Sequence, residues 1–178
     1  SCTGATAARN YIPGLTEAYY RNLPVLALTS TQDVAKVGHH IAQITDRSSM
    51  QNDIVNLSVT LPIVKDDDDI WDCEIKVNQA ILELKRKNGG PVQINVPTKY
   101  TFPFEDKVLP NYRVIDRITK QDKLPPLEGK VAVFVGSHKK WSSDETKTLD
   151  EFCLRNNAVV FCDHTSGYKG KYRLLFSL

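Results

Sequence analysis

Three short apolar runs constrain this chain more than any other feature: PVLALTS at Pro24–Ser30, VTLPIV at Val59–Val64 and VQINVP at Val92–Pro97. Each is continuous rather than alternating, which is how a strand covered on both faces of a parallel sheet reads. Between the second and third lies a helical pattern from about Asp69 to Lys87, with Ile70, Ile75, Val77, Ala80, Ile81 and Leu84 mostly at helical spacing and Asn88-Gly89-Gly90 as the stop. Strand, helix, strand predicts a parallel crossover, right-handed by the general rule. The fold class expected is α/β, a parallel sheet with flanking helices.

A second unit of the same kind follows. KVAVFVG reads as a buried strand, Ser143 to Asn156 as a helix and AVVFCDH as another buried strand, with Leu174, Leu175, Phe176 and Leu178 closing the chain on an apolar segment. Between Thr98 and Leu127 the periodicity dissolves into mixed polar sequence broken by Pro103, Pro110, Pro125 and Pro126, the composition of a surface linker. Near the start, Ala8, Tyr11, Ile12, Leu15, Ala18 and Tyr19 form one helical stripe. Pro13 and Gly14 interrupt it, so a kinked or two-part helix is expected between Thr6 and Arg21. A parallel sheet of two or three strands leaves edges exposed, and the chain is therefore expected to be the middle of something larger.

Charge points to no macromolecular partner. Twenty-three Lys and Arg against 21 Asp and Glu give a net charge of +2, and no basic block is interleaved with aromatics as a nucleic-acid groove requires. No apolar run reaches the roughly 18 residues that cross a bilayer, so neither nucleic acid nor membrane is an expected partner. Cys2, Cys73, Cys153 and Cys162 are widely spaced without a C-x-x-C pair, which fits reduced thiols in the cytoplasm.

The opening CTGATAARNYIPGLTEAYYRNLPVLALTS resembles the T-S-G-x-x-x-x-N…P…EAYY…VPLIVLT segment of the pyrimidine-binding domain in thiamine-diphosphate-dependent decarboxylases and carboligases. Cys2-Thr3-Gly4 falls on T-S-G, Asn10 on the asparagine, Pro13 on the proline and Glu17-Ala18-Tyr19 on E-A-Y. Met50-Gln51 with Asp53-Ile54-Val55 is similar to F-Q-x-x-D-I-V of the acetolactate synthases, and GGPVQINVP to their G-R-P-G-P-V-x-I-D-I-P. HTSGYKGKYRLL resembles a segment of the menaquinone-pathway succinyl-enolpyruvyl-hydroxycyclohexene-carboxylate synthases in the same family.

The resemblance implies a division into a partial pyrimidine-binding domain at 1–100, a linker at 101–127 and a partial Rossmann-like central domain at 128–178. It implies thiamine diphosphate and Mg2+ as cofactors of the longer enzyme, a 2-oxo acid as substrate, decarboxylation with carboligation as the reaction, and a homodimer or homotetramer as the assembly. Thr3 and Gly4 would lie beside the cofactor's pyrimidine ring, and Met50 and Gln51 in a substrate-channel loop. The glutamate that protonates the ring and the G-D-G…N motif that holds Mg2+ in this family have no counterpart in the sequence, so the chain alone is expected to bind no cofactor and to be inactive. A non-catalytic α/β binding or regulatory module is the alternative.

Several residues carry a plainer explanation beside the sharper one. Thr3 and Gly4 are also ordinary helix-capping residues. Gln51 is also a polar residue of the surface type. Glu17, within a helix, is read as a structural hydrogen-bonding or ion-pairing group. His39-His40 lack the companions of a ligand set. Asp66–Asp69 read as a solvated turn favourable to the following helix dipole rather than a metal site. Gly167-Tyr168-Lys169-Gly170-Lys171 fails the spacing of a phosphate loop, and Gly136 lacks the companions of a dinucleotide fingerprint.

Overall fold

The computed structural model describes residues 1–2, 5–47, 49–99 and 108–176, and these divide into two compact units, Ser1–Arg117 and Ile118–Leu178.

In the first unit, helix α1 (Ala5–Arg9) is followed at once by α2 (Ile12–Tyr20), as Pro13 and Gly14 predict. Proline is tolerated here because it occupies the first turn of α2, where its missing N–H has no intrahelical partner to lose. Strands β1 (Leu26–Thr31), β2 (Leu57–Thr60) and β3 (Val92–Pro97) form a wholly parallel sheet in the order β1-β3-β2. Leu26 pairs with Val92 on one side of β3 and Leu57 with the same residue on the other. Beyond β1, Cys2 forms a parallel bridge with Thr29, its N–H donating to Leu28 O and its carbonyl accepting from Ser30 N, both at 3.0 Å.

The second apolar run starts and ends earlier than its composition suggests. Leu61 N still donates to Asn95 O at 3.0 Å, but Pro62 has no N–H to offer the ladder, and the strand stops. The crossover helix α3 (Asp67–Glu83) likewise begins and ends before its expected bounds. Asp66 caps it by accepting from Asp69 N at 3.0 Å, and the carboxylates of Asp67–Asp69 sit in the first turn, where the helix dipole favours them. Past its end Lys87 and Gly89 take left-handed backbone, with φ of 55° and 88°. A side chain on Gly89 would also press on Asn22 O at 3.1 Å and Leu84 O at 3.2 Å, so the chain can turn into β3 there only without one.

The two faces of this sheet differ. Against one, α3 packs Val77, Ala80 and Leu84 onto Leu57, Val59, Val92 and Ile94. Against the other, Leu15, Ile54 and Val55 gather around Ala27, with Tyr11, Ile12 and Met50 at the margin. Fully burying a Val, Leu or Ile side chain contributes about 1.5–3 kcal/mol. Residues 113–117, within the stretch read as linker, lie along α3. Asn78 Oδ1 accepts from Ile115 N at 2.8 Å, its Nδ2 donates to Arg113 O at 2.9 Å, and Glu74 Oε1 accepts from Arg113 N at 3.0 Å.

The second unit is built from β4 (Ala132–Val135), α4 (Ser143–Asn156), β5 (Val159–Cys162) and β6 (Arg173–Leu175), all parallel in the order β4-β5-β6, so its central strand is the second along the chain where that of the first unit is the third. A reciprocal capping box starts α4, with Ser142 Oγ accepting from Glu145 N and Glu145 Oε2 accepting from Ser142 N at 2.7 Å. Asn157 ends it in left-handed backbone at φ 48°. The core is Cys153, Ala158, Val160, Cys162 and Tyr168. On the opposite face Phe134 stacks on Phe161 at 5.2 Å, with Phe176 edge-on to both. All four cysteines are free, and no helix among the described residues is long and apolar enough to cross a membrane.

Candidate functional site

The sheet of the first unit carries polar residues where its neighbours are aliphatic. Gln93 and Asn95 stand two apart on β3, so they share a face, and the parallel register sets Thr29 and Thr60 beside Asn95 and Ser58 beside Gln93. Thr29, Gln93 and Asn95 are all about 1–2% exposed, so each polar atom needs a partner inside the protein. They find them in one another. Thr29 Oγ1 donates to Asn95 Oδ1, Gln93 Nε2 lies 3.2 Å from both Thr29 Oγ1 and Asn95 Oδ1, and Ser58 Oγ donates to Gln93 Oε1 at 2.9 Å. Asn95 Nδ2 donates to Thr60 Oγ1 at 3.2 Å and to the backbone carbonyl of Arg47.

That last bond ties the row to the irregular chain between β1 and β2. Arg47 is 7% exposed, and its guanidinium donates to Ser30 O at 2.7 Å near the carboxyl end of β1. Burial draws its pKa below the ordinary arginine value, the nearby Arg9 adds to that, and Cys2 opposes it. A guanidinium remains a cation under these conditions and is a fork-shaped donor suited to carboxylates. Two small cavities flank it. One of about 130 Å³ is lined by Thr31, Gln32, Thr45, Asp46 and Thr60 among others, and one of about 40 Å³ by Arg9, Ile12, Met50, Gln51 and Gln93. Thr45 Oγ1, buried beside the first, has no hydrogen-bond partner among the described residues. Polar groups converging at the carboxyl ends of parallel strands are the usual ligand position of an open α/β sheet.

Among the residues singled out from the sequence, Thr3 and Gly4 lie outside the described residues. Those on either side of them are Cys2, paired in parallel with β1, and Ala5, the first residue of α1. Met50 is half-buried against the Leu15, Ala27, Ile54 and Val55 cluster, Gln51 is exposed, and both border the smaller cavity beside Arg47. Glu17 pairs with Arg21 at 3.5 Å on the surface of α2. His39 and His40 are exposed in a turn after the 3₁₀ segment Val34–Lys36. Asp66 and Asp69 serve the start of α3, where Asp69 Oδ2 also accepts from Lys65 N at 3.0 Å. No grouping of His, Cys, Asp and Glu among the described residues could hold a metal ion.

Gly167 and Gly170 turn out to be packing residues. A Cβ on Gly167 would lie 1.8 Å from Lys139 O, and one on Gly170 would lie 2.3 Å from Asp150 Oδ1. Their loop closes the second core by way of Tyr168, whose hydroxyl donates to Asp150 and whose pKa is pushed up first by burial and then by that bond. A separate cleft of about 640 Å³ runs between α3 and residues 110–113, lined by Val64, Ile70, Cys73, Val77, Pro110 and Tyr112. Burial pushes the Cys73 thiol up, which lowers its nucleophilic fraction at neutral pH.

Arg47 lies outside every motif quoted above, and Thr29, Gln93 and Asn95 lie within such motifs but were not singled out as site residues. A weak signal for the strand residues was present, since Gln93 and Asn95 interrupt an apolar run at the period of one strand face.

Comparison with known proteins bears on what these residues serve. No family model matches the chain. It is 36% identical over 117 residues to the 2-succinyl-5-enolpyruvyl-6-hydroxy-3-cyclohexene-1-carboxylate synthase of Bacteroides thetaiotaomicron, covering 65% of this chain and 21% of that protein. The Phocaeicola vulgatus synthase of the same name is 35% identical over the same length and shares. The chain is related to these synthases. A Leuconostoc mesenteroides synthase aligns over 97% of the chain at 25% identity, and there the match covers 32% of the relative. The chain thus spans between about a fifth and a third of the relatives it matches.

Proposed function

We propose that this chain supplies the pyrimidine-side part of a thiamine-diphosphate-dependent enzyme that removes the carboxylate of a 2-oxo acid and joins the resulting carbanion equivalent to an acceptor. The observation that carries the reading is the similarity to the cyclohexene-carboxylate synthases, 36% identity over 117 residues in one of them. The motifs quoted above, occurring in family order, are part of the same similarity. The longer enzyme works as a homodimer or homotetramer in this reading. Four free thiols fit the reducing cytoplasm as its compartment.

The parts of the chain that are described fit the cofactor's pyrimidine half. Cys2 bridges to Thr29 of β1 and α1 starts at Ala5, on either side of Thr3 and Gly4. Thr3 and Gly4 would hold the ring there, while Met50 and Gln51 would border the substrate. When bound, thiamine diphosphate supplies the electron sink that accepts the pair left by the departing carboxylate. Arg9, Arg47 and Asp46 bring charges of both signs to the cavity that Met50 and Gln51 line. No group of three or more His, Cys, Asp or Glu among the described residues could hold Mg2+, and in this reading Mg2+ and the diphosphate are held by other parts of the longer enzyme.

Thermal-shift measurement with thiamine diphosphate and Mg2+ tests the proposal. The gene product that carries this chain is expected to be stabilised by several degrees, and the 178-residue chain alone to be unaffected. No stabilisation of the gene product would favour the non-catalytic α/β module and overturn the enzyme reading.

A further inference from the structure

We propose that Asn95 is the positioning residue of the candidate site: its side-chain amide fixes the Arg47 backbone, and with it the loop that leads to Met50 and Gln51, at the carboxyl end of the sheet. An amide side chain has two N–H donors and one oxygen with two lone pairs. Here all of that capacity is in use. The oxygen accepts from Thr29 Oγ1 and from Gln93 Nε2, and the nitrogen donates to Thr60 Oγ1 and to Arg47 O. The arrangement has one polarity only. Turning the amide over would set its oxygen against the Arg47 carbonyl, acceptor to acceptor, and its NH2 against the Gln93 donor.

The anchor at one end of this link is rigid. β3 is the central strand, paired with β1 from Val92 to Pro97 and with β2 from Val92 to Asn95, and Asn95 is 1% exposed. The other end is not in a helix or strand: residues 41–47 have no sheet ladder, so their position depends on side-chain bonds such as this one and the Arg47–Ser30 contact. A buried amide that spends one donor on a loop carbonyl is costly to strand unpaired, which makes the held position of the loop strongly preferred over a released one. That the loop borders a substrate rests on the function proposed above; that Asn95 holds it does not.

Hydrogen–deuterium exchange on the 178-residue chain separates the two. In Asn95→Asp, which keeps the acceptors for Thr29 and Gln93 but removes both donors, amides of residues 43–47 are expected to exchange about ten-fold faster or more, while amides of α3 keep wild-type protection. Ile94→Ala, on the opposite face of the same strand, is the control for plain destabilisation and should leave the 43–47 amides no faster than the rest of the sheet. Equal release of the loop in Ile94→Ala, or unchanged protection in Asn95→Asp, would overturn the proposal. Should Asn95→Asp not fold, the wild-type chain still decides: exchange of residues 43–47 at free-peptide rates means that nothing holds them. Loop release in Asn95→Asp alongside a gene product that ignores thiamine diphosphate and Mg2+ supports Asn95 as the anchor and removes only the enzyme reading.

Discussion

The two units share a plan and differ in what they bury. Each has three parallel strands, two of them joined through a helix, yet the first unit places Thr29, Gln93 and Asn95 in its interior where the second has Val160, Cys162 and Cys153. In the second unit the chief buried polar contact, Tyr168 to Asp150, lies in the loop that closes the core rather than across the strands. Burying an amide or hydroxyl is unfavourable unless its bonds are remade inside, so a polar row across a sheet is retained where something besides cohesion depends on it. Both sheets pack apolar clusters, and the first adds a buried polar row bonded to a loop. A shared strand–helix–strand unit therefore says little about where function sits, and the interior chemistry says more.

The contrast can be broken most severely in the second unit. Gly167→Ala sets a methyl 1.8 Å from Lys139 O and 2.9 Å from Trp141 Cδ1, and the first of these is backbone that cannot swing away. The expected loss is about 4 kcal/mol or more, a large part of the 5–15 kcal/mol that holds a domain together. The two tryptophans report separately, Trp71 from α3 and Trp141 from the second unit. Urea unfolding followed through Trp141 in a Trp71→Phe background should show the loss, while Trp71 fluorescence in a Trp141→Phe background should not. An equal shift by both probes would mean that the two sheets are not independently stable, and the comparison between them would fail.

A smaller effect sharpens the claim about the polar row. Thr29→Val removes one hydroxyl that both donates to Asn95 and accepts from Gln93, and is expected to cost about 1.5 kcal/mol in the urea midpoint. Adding Gln93→Leu and Asn95→Leu should cost less than the sum of the three single changes by at least about 1 kcal/mol, because each later substitution removes a group already deprived of its partner. Strict additivity would show three separate polar residues instead of a network. The corresponding swap in the other sheet, Val160→Ala, removes packing and no hydrogen bond.

Periodicity and punctuation carried most of the architecture. The run VQINVP became β3 and Ser143–Asn156 became α4 within the expected bounds, since an apolar run or a capped amphipathic stretch leaves the backbone few alternatives. The second strand ended at Thr60 rather than Val64 because composition does not weigh the ladder bond that Pro62 cannot make. The site was less legible. Motifs led to Met50 and Gln51, which do border the cavity beside Arg47, but Arg47 itself stands in TDRSS with no periodic or motif context, and only the fold brings it to Ser30 and Asn95. Likewise the glycines of GYKGK look like ligand-binding punctuation until the close approaches of Lys139 and Asp150 give them a packing role. The Gln93–Thr29 pairing across 64 residues is set by strand register and the Asn95–Arg47 bond across 48 by the path of an irregular loop, neither of which local sequence encodes.

The smallest expected effect separates how the two crossover helices begin. α3 starts from a run of aspartates with Asp66 as its cap, whereas α4 starts from the reciprocal pair Ser142 and Glu145. The Ser142 backbone N–H, then its hydroxyl, hold Glu145 below the usual carboxylate range, with Lys139 and His138 adding to the effect and slight desolvation opposing it. A depressed folded value means that the ionised carboxylate favours the native state: the contribution is present above the unfolded value of about 4.3 and is lost as pH falls through the lower folded one. The urea midpoint of the second unit, read from Trp141, should therefore fall more between about pH 5 and pH 3 in the wild type than in Glu145→Gln. Asp122 and Asp163 are also held low, by Thr119 and Thr165, so a slope persists in the variant and the difference between the two curves is the contribution of the cap. Parallel curves would mean that the fully exposed pair is screened by water and that Ser142 alone begins α4.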